Sequence, residues 1–283
     1  MIVWRDCIIA FCRMAFFIAV LVGLSCTSAM AADFAAGSRA YNQGDYQGAL
    51  THWRPLADQG DRRAQYNLGV MYERGHGVTQ DSAQATALWK QAATSGLVWA
   101  QHNLGLALVS LDSENPEYDA GVKWLIRASD QGFAQSQYAL AEIYAHGQGV
   151  ERNQARAIRL YQTAAQQGLA EAQYKLGRLY RDGDGVETDL PAAIKWLELA
   201  AQNGSPAAQN SLGRHYADGL GVDQDDIEAL KWIALSAQQK YSEALDNKRI
   251  MTQRMSEEQI REAKKRIELW NQKQNSRTDS PTS

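Results

Sequence analysis

Cysteine is almost missing from this chain of 283 residues. The three cysteines, Cys7, Cys12 and Cys26, all lie near the N-terminus. Beyond Cys26, the absence of cysteine excludes disulfides, thiol catalysis and cysteine-based metal sites. The rest of the protein must therefore be held together by packing alone. Its length and its 45% hydrophobic content are sufficient for a core of that kind.

A strong excess of charge is also missing, since the formal net charge is −3. Proteins that bind nucleic acid or an anionic membrane surface usually carry a clear excess of Lys and Arg. We therefore expect neither of them as a partner. A long apolar run is missing too: the run at 14–24 is about half of the roughly 20 residues that a spanning helix needs.

The N-terminal segment has the features of an export signal. Arg5 and Arg13 precede the apolar run at 14–24, and small residues follow at 29–31. We expect cleavage between two alanines at the end of this segment, which gives a periplasmic or secreted protein. The two flanking residues are Ala31 and Ala32.

Two other readings of the same segment stay open. The first is a retained membrane anchor, which the short apolar run disfavours. The second is a lipoprotein attached at Cys26, which Gly23 disfavours because such sites usually carry leucine at that position.

A motif of nine residues recurs with a period of 36 residues. Its five copies read AQYNLGVMY (64–72), AQHNLGLAL (100–108), SQYALAEIY (136–144), AQYKLGRLY (172–180) and AQNSLGRHY (208–216). The first, fifth and ninth residues of each copy fall on one face of an α-helix, which we call helix A. A fixed period of this length is typical of repeat architectures. The loop YERGHGV at 72–78 recurs as well, so His76 belongs to a turn and not to an active site.

A second helix, helix B, follows the G-x-G-V turn in four of the five rows and a different loop in row two. Polar residues that can cap its N-terminus precede it at Asp81, Asn153, Asp189 and Asp225. Its apolar face is predicted from Ala85, Trp89, Ala92 and Ala93 and their equivalents, and the first four rows end at a glycine suited to positive φ. Glycines such as Gly69 inside helix A cost about 1 kcal/mol relative to alanine. We attribute them to close approach of helix B.

The pattern A-Q-Y-x-L-G-x-x-Y-x-x-G-x-G-V-x-x-D, followed by A-x-x-x-W and A-A-x-x-G, resembles the Sel-one-like repeat, a relative of the tetratricopeptide repeat. The resemblance covers residues 64 to about 240. It implies an all-α fold, an α/α superhelical solenoid of helix-turn-helix repeats with a 36-residue period. It also implies protein–protein interaction, and in bacteria often a place in the envelope.

Departures from the pattern mark the ends and one loop. Row two replaces the G-x-G-V turn with LDSENPEY (111–118), and Lys240 stands where the other rows have glycine. Ser256 and Gln259 form a predicted capping box. The predicted order is a signal peptide (1–31), a shortened N-terminal capping repeat (32–63), five repeats (64–99, 100–135, 136–171, 172–207 and 208–243), C-terminal capping helices (244–270) and a disordered tail (271–283).

The candidate binding residues are side chains of helix A that vary from row to row. If the geometry follows tetratricopeptide arrays, they line a concave face that binds a protein or peptide, for which tyrosine and arginine are suited. An alternative is that the tyrosines pack between rows. The predicted residues are Tyr66, His102, Tyr138, Glu142, Tyr174, Arg178, Arg181, Asn210 and Arg214.

No arrangement of residues predicts catalysis, a metal or a cofactor. The five histidines lack metal-ligand spacing, and the acidic stretch at 182–189 fails the calcium-loop pattern at Val186 and Glu187. Three tryptophans of helix B, Trp89, Trp124 and Trp196, are predicted to lie in the core.

We therefore expect a non-enzymatic scaffold or regulator in the bacterial envelope. One alternative is a periplasmic immunity protein that neutralises a secreted effector. Another is a cell-wall or β-lactam hydrolase like those claimed for cysteine-rich relatives, whose cysteine pairs this chain lacks beyond Cys26.

Overall fold

The computed structural model describes residues 33–110 and 116–278, and every regular element in these ranges is an α-helix. The chain divides into two compact units, with the boundary between Ala92 and Ala93. The predicted all-α fold of helix-turn-helix repeats is confirmed. The predicted signal segment and residues 111–115 of the irregular loop lie outside the described residues.

The first unit contains the shortened repeat and the first full repeat. Its helices are α1 (Phe34–Asn42), α2 (Tyr46–Asp58), α3 (Arg62–Arg74) and α4 (Ser82–Thr94), the last of which crosses the unit boundary. α1 packs on α2, and α2 packs on α3. Trp53, on α2, lies at the centre of this core and is 2% exposed.

The second unit contains four more repeats and the C-terminal helices. Its helices are α5 (Val98–Val109), α6 (Tyr118–Asp130), α7 (Ala134–His146), α8 (Gln154–Gln166), α9 (Ala170–Asp182), α10 (Leu190–Gln202), α11 (Pro206–Asp218), α12 (Asp226–Gln238), α13 (Ser242–Arg254) and α14 (Glu257–Thr278). Each helix A packs on the helix B of its own row, and each helix B packs on the next helix A. A single hairpin leaves one face uncovered, and the next row covers it.

The faces predicted from the period form the core. The alanine or serine at the first position of helix A and the leucine at the fifth are buried in all five rows, and Leu176 is fully buried. The predicted face of helix B is buried as well, from Ala85 to Ala201. Small residues let the helices approach, and one large residue per row, such as Tyr161, fills the remaining space.

The glycines inside helix A mark these close approaches. A Cβ atom on Gly213 would lie 2.6 Å from Cγ1 of Ile233 and 2.9 Å from the carbonyl oxygen of Ala229. Both neighbours belong to helix B of the same row. The carbonyl oxygen of Ala229 is a backbone atom, so it cannot move aside as a flexible side chain can. The second glycine of the G-x-G-V turn also marks a close approach. A Cβ on Gly221 would lie 2.9 Å from Cβ of Leu190 in the preceding row.

The predicted helix ends are confirmed. Asn153 and Asp189 accept hydrogen bonds from backbone amides of the first turn of helix B. Lys240 takes a φ of 63°, the left-handed conformation that glycine has in the other rows. Ser256 and Gln259 exchange the two hydrogen bonds of the capping box.

The predicted tail boundary is wrong, because α14 continues beyond residue 270 to Thr278. α14 packs along α12, where Ile267 is buried and Trp270 meets the edge of Trp232 with ring centroids 4.9 Å apart. The Arg266 guanidinium also lies 2.9 Å from the carboxylate of Glu228. These anchors sustain the helix in spite of its polar sequence. Residues 279–283 lie outside the described residues.

One prediction about the core is also wrong. Trp89 is buried, but Trp124 and Trp196 are only half-buried. The residues equivalent to Trp89 in these rows are Leu125 and Leu197. Trp124 and Trp196 each stand one position before them. One residue turns a helix by about 100°, so these indoles lie at the border of the core.

Candidate functional site

His76 is a structural residue of the first unit. Its Nδ1 lies 3.0 Å from the hydroxyl oxygen of Tyr41, and its ring stacks on Tyr46 with centroids 4.5 Å apart. Both tyrosines belong to the shortened repeat. The histidine therefore joins that repeat to the first full one and has no catalytic arrangement.

Two of the predicted binding residues are used inside the protein. Asn210 is 7% exposed, and its side-chain oxygen accepts a hydrogen bond of 2.8 Å from Asn247. His102 is half-buried, with Nδ1 2.9 Å from the hydroxyl of Ser136 in the next row and its ring against Phe133. The position that they share lies where successive rows meet. We therefore correct the prediction and leave both residues out of the candidate site.

Burial of His102 has a consequence for the pH dependence of stability. It lowers the pKa of the imidazole from 6.5 to about 4. The unfolded chain therefore takes up this proton first as the pH falls, and the contribution of His102 to stability is lost between pH 6.5 and about 4. We expect His102→Gln to reduce the fall of the unfolding free energy over this interval, measured by urea titration. An unchanged slope would contradict the burial of this ring.

The tyrosines at the same position are half-buried. Tyr138 packs on the core of the second unit beside Tyr161, and burial, together with the charge of Glu142, raises its pKa to about 12. Tyr174 packs on the core cluster around Leu197 and Leu212. Tyr66 is half-buried in the first unit. The tyrosines thus have a packing role, and part of each ring stays accessible.

Glu142 is held by neighbours on three helices. It accepts a short hydrogen bond from the hydroxyl of Tyr161, and its carboxylate lies 3.0 Å from Nζ of Lys175 and 3.7 Å from Nδ1 of His146. Burial would raise its pKa, but the hydrogen bonds from Tyr161 and Lys175 outweigh burial and hold the pKa below its usual value. This carboxylate already has its partners and is a poor anchor for another protein.

The arginines differ from the other predicted residues. Arg178 on α9 and Arg214 on α11 occupy the same position of successive rows, and both are exposed. Within the described ranges, neither of them forms an ion pair. Arg181 is half-buried and forms a bidentate pair with Asp182, with N–O distances of 2.7 and 3.0 Å.

A depression of about 380 Å³ lies beside these arginines, between rows four and five. It is lined by Arg181, Asp182, Leu190, Ser211, Arg214, His215, Asp218 and Leu220. Tyr174 lies next to Arg178, with the guanidinium carbon 6.0 Å from the ring centroid. We call Tyr174, Arg178, Arg181 and Arg214 the Tyr–Arg surface.

A row of buried amides, which was not predicted from the sequence, runs along the repeats. The glutamine at the second position of helix A donates to a carbonyl oxygen eight residues earlier, as Gln173 does to Ala165 at 3.0 Å. It also accepts from an amide near the end of the same row, as Gln173 does from Asn203 at 2.9 Å. The signal was present, since this glutamine occurs in every row. In the first unit, Oε1 of Gln65 is buried without a partner.

Between residues 33 and 278, apart from the undescribed loop at 111–115, no helix is long and apolar enough to cross a membrane. In the same ranges, no group of three His, Cys, Asp or Glu side chains could hold a metal ion.

Helical hairpins at a fixed period, with variable side chains on helix A, define a helical-repeat protein of the interaction-scaffold type. The Sel1 repeat family model matches residues 62–97, 100–133, 134–169, 170–205 and 206–241. These segments make up more than half of the chain, which therefore belongs to the Sel1 repeat family.

Known relatives and structures agree with this assignment. DAP3-binding cell death enhancer 1 of Rattus norvegicus is 30% identical over 166 residues, which cover 44% of this chain and 32% of that protein. The chain thus spans about a third of the length of this relative. A Sel1 repeat protein from Oxalobacter formigenes superposes with a TM-score of 0.73 at 28% identity, covering 86% of this chain and 99% of that one.

The immunity protein PA5088 from Pseudomonas aeruginosa superposes with a TM-score of 0.52, covering 73% of this chain and 82% of that one. At 17% identity, this likeness shows the fold alone.

Proposed function

We propose that this chain is an exported Sel1 repeat protein that acts as a non-enzymatic interaction scaffold or regulator in the bacterial envelope. In this proposal it binds a protein segment through the Tyr–Arg surface. The observation that carries the proposal is the pair Arg178 and Arg214, which lie at matching positions of neighbouring rows, are exposed and form no ion pair with the residues that the structure describes. The family membership of the chain supports the scaffold role.

The chemistry of this surface favours a partner segment that carries carboxylates. A guanidinium group donates in a planar fork that fits a carboxylate, and such charge-assisted hydrogen bonds are stronger than neutral ones. Arg178 and Arg214 form no ion pair with any described residue, whereas Arg181 is paired with Asp182. Tyr174 adds partly accessible aromatic area, and tyrosine and arginine dominate binding hot spots.

The experiment is capture of a partner from envelope extracts. The protein purified from the envelope is immobilised, and extracts are passed over it at low and at high ionic strength. We expect one specific protein to be retained at low salt and released at high salt, because exposed charge pairs are screened. Retention that does not change with salt, or retention of no protein, would contradict a charged recognition surface.

Export gives a separate expected result. The mature protein should begin at Ala32 and should be found in an osmotic-shock fraction, because the N-terminal segment has the features of a cleaved signal. Mass spectrometry of the purified protein measures its first residue. An intact Met1, or a lipid on Cys26, would overturn this part of the proposal.

A further inference from the structure

A second depression, of about 530 Å³, lies in the second unit at the ends of α10 and α12. α14 forms a third wall, and this wall exists only because the helix continues beyond residue 270. The depression is lined by Gln202, Asn203, Gly204, Gln209, Leu235, Gln238, Gln239, Trp270, Asn271 and Gln274. We call it the amide pocket.

The lining has an unusual chemical composition. Seven of the ten residues carry a side-chain amide, one is tryptophan, and none is charged. Each amide offers both donors and acceptors. Two helices, α10 and α12, end in the pocket, and helix C-termini present carbonyl oxygens and partial negative charge. Phosphates and carboxylates are therefore disfavoured, and a neutral ligand with many hydroxyl groups is favoured.

Part of the hydrogen-bonding capacity is unused. Gln209 and Gln239 are bonded to each other at 2.9 Å in the row of buried amides. By contrast, the side chains of Gln202, Gln238 and Asn271 show no hydrogen-bond partner in the part of the chain that the structure describes.

Gln274 gives a stronger indication. Its Nε2 is buried and has no hydrogen-bond partner among the described residues. An unpaired buried donor destabilises the folded protein, and a ligand hydroxyl would satisfy it.

The first unit provides an internal comparison. The equivalent depression there has about 470 Å³ and contains the corresponding glutamine, Gln65. Its lining includes the charged residues Arg54 and Asp58, and it lacks tryptophan. The uncharged amide lining and the indole wall are therefore properties of the C-terminal repeats and not of the repeat in general.

We infer that the amide pocket binds a neutral oligosaccharide. In this arrangement the accessible part of the Trp270 ring packs against the apolar face of a sugar ring. The amides of Gln238, Asn271 and Gln274 bond to its hydroxyl groups, for which a volume of this size has room. The site is separate from the Tyr–Arg surface, and the inference does not depend on the proposed partner.

The test uses three neutral disaccharides as probes: maltose, cellobiose and N,N′-diacetylchitobiose. Each is titrated into the purified protein while NMR follows the indole N–H signal of Trp270 and the side-chain amide signals. We expect at least one disaccharide to give saturable shifts of the signals of Trp270 and Asn271. If none of the three shifts these signals at millimolar concentration, or if shifts occur only elsewhere, the inference is overturned.

Two matched variants make the test specific. Gln238→Ala together with Asn271→Ala should weaken the binding by about tenfold or more, because each lost hydrogen bond costs about three- to tenfold. Both residues are exposed, so folding should be unaffected. The control is Gln166→Ala with Gln272→Ala, two exposed amides that do not line the pocket. Equal weakening in both variants would also overturn the inference.

Discussion

Leu176→Ala is expected to lower the free energy of unfolding by about 2–5 kcal/mol, the usual cost of truncating a buried leucine. Leu176 is fully buried in a core cluster that also contains Tyr161 and Leu179. It lies in a middle row, where a cavity weakens the contact of its helix with both neighbours. Urea titration followed by circular dichroism measures the effect.

The control for this result is Asp184→Ala, in the turn of the same row. Asp184 is exposed, so its replacement should change the unfolding free energy by no more than about 0.5 kcal/mol. Equal losses in the two variants would mean that the buried face of helix A is assigned incorrectly.

The second large effect concerns binding. Arg178→Glu together with Arg214→Glu should weaken the affinity for the partner by about thirtyfold or more, since one central arginine anchor is worth about 2 kcal/mol. The reversed charges also repel the carboxylates expected on the partner. Stability should hardly change, because both side chains are exposed and neither forms an ion pair in the part of the chain that the structure describes. Calorimetric titration with the captured partner measures the affinity.

The matched control keeps the same change of net charge. Arg159 and Lys195 are exposed on α8 and α10, which are B helices, whereas the Tyr–Arg surface belongs to A helices. Arg159→Glu with Lys195→Glu should leave the affinity within about threefold of the wild-type value, since scattered surface charges act weakly at physiological ionic strength. A similar loss in both variants would indicate a general charge effect and no specific site.

Much of the fold could be predicted from the sequence because the signals are local. The spacing of Leu176 and its equivalents sets the buried face, and Asp189 caps a helix through neighbours three residues away. Lys240, which departs from the glycine of the other rows, still takes the left-handed conformation of that place in the row. Such features depend only on one helix and the residues at its ends. Comparing the rows of the repeat is enough to recognise them in the sequence.

The features that could not be predicted depend on contacts between rows, and the sequence of a single row does not show these contacts. Asn210 was predicted to face a partner, but Asn247, 37 residues later, covers it. The end of α14 was predicted to be disordered from its polar composition, whereas Trp270 and Arg266 attach that helix to α12. The amide pocket follows from the same attachment, so composition alone could not predict it.

Of the candidate binding residues, only some could be assigned from the sequence. The pattern placed the candidates on helix A at positions that vary between rows, and their binding role stays a prediction. It could not tell Glu142, which is held by Lys175 and Tyr161, from Arg178, which forms no ion pair with any residue that the structure describes. The difference depends on whether the neighbouring row places an oppositely charged or hydrogen-bonding side chain beside the residue. A residue with such a partner stabilises the array, whereas one without it can bind another protein.

The most direct test of the Tyr–Arg surface is site-specific crosslinking in cells. A photo-crosslinking amino acid is placed at position 178 in one strain and at position 159 in another, and the envelope is irradiated and analysed by mass spectrometry. We predict a covalent adduct with one other protein from position 178 and none from position 159. Adducts of equal yield from both positions, or an adduct from position 159 alone, would contradict the account.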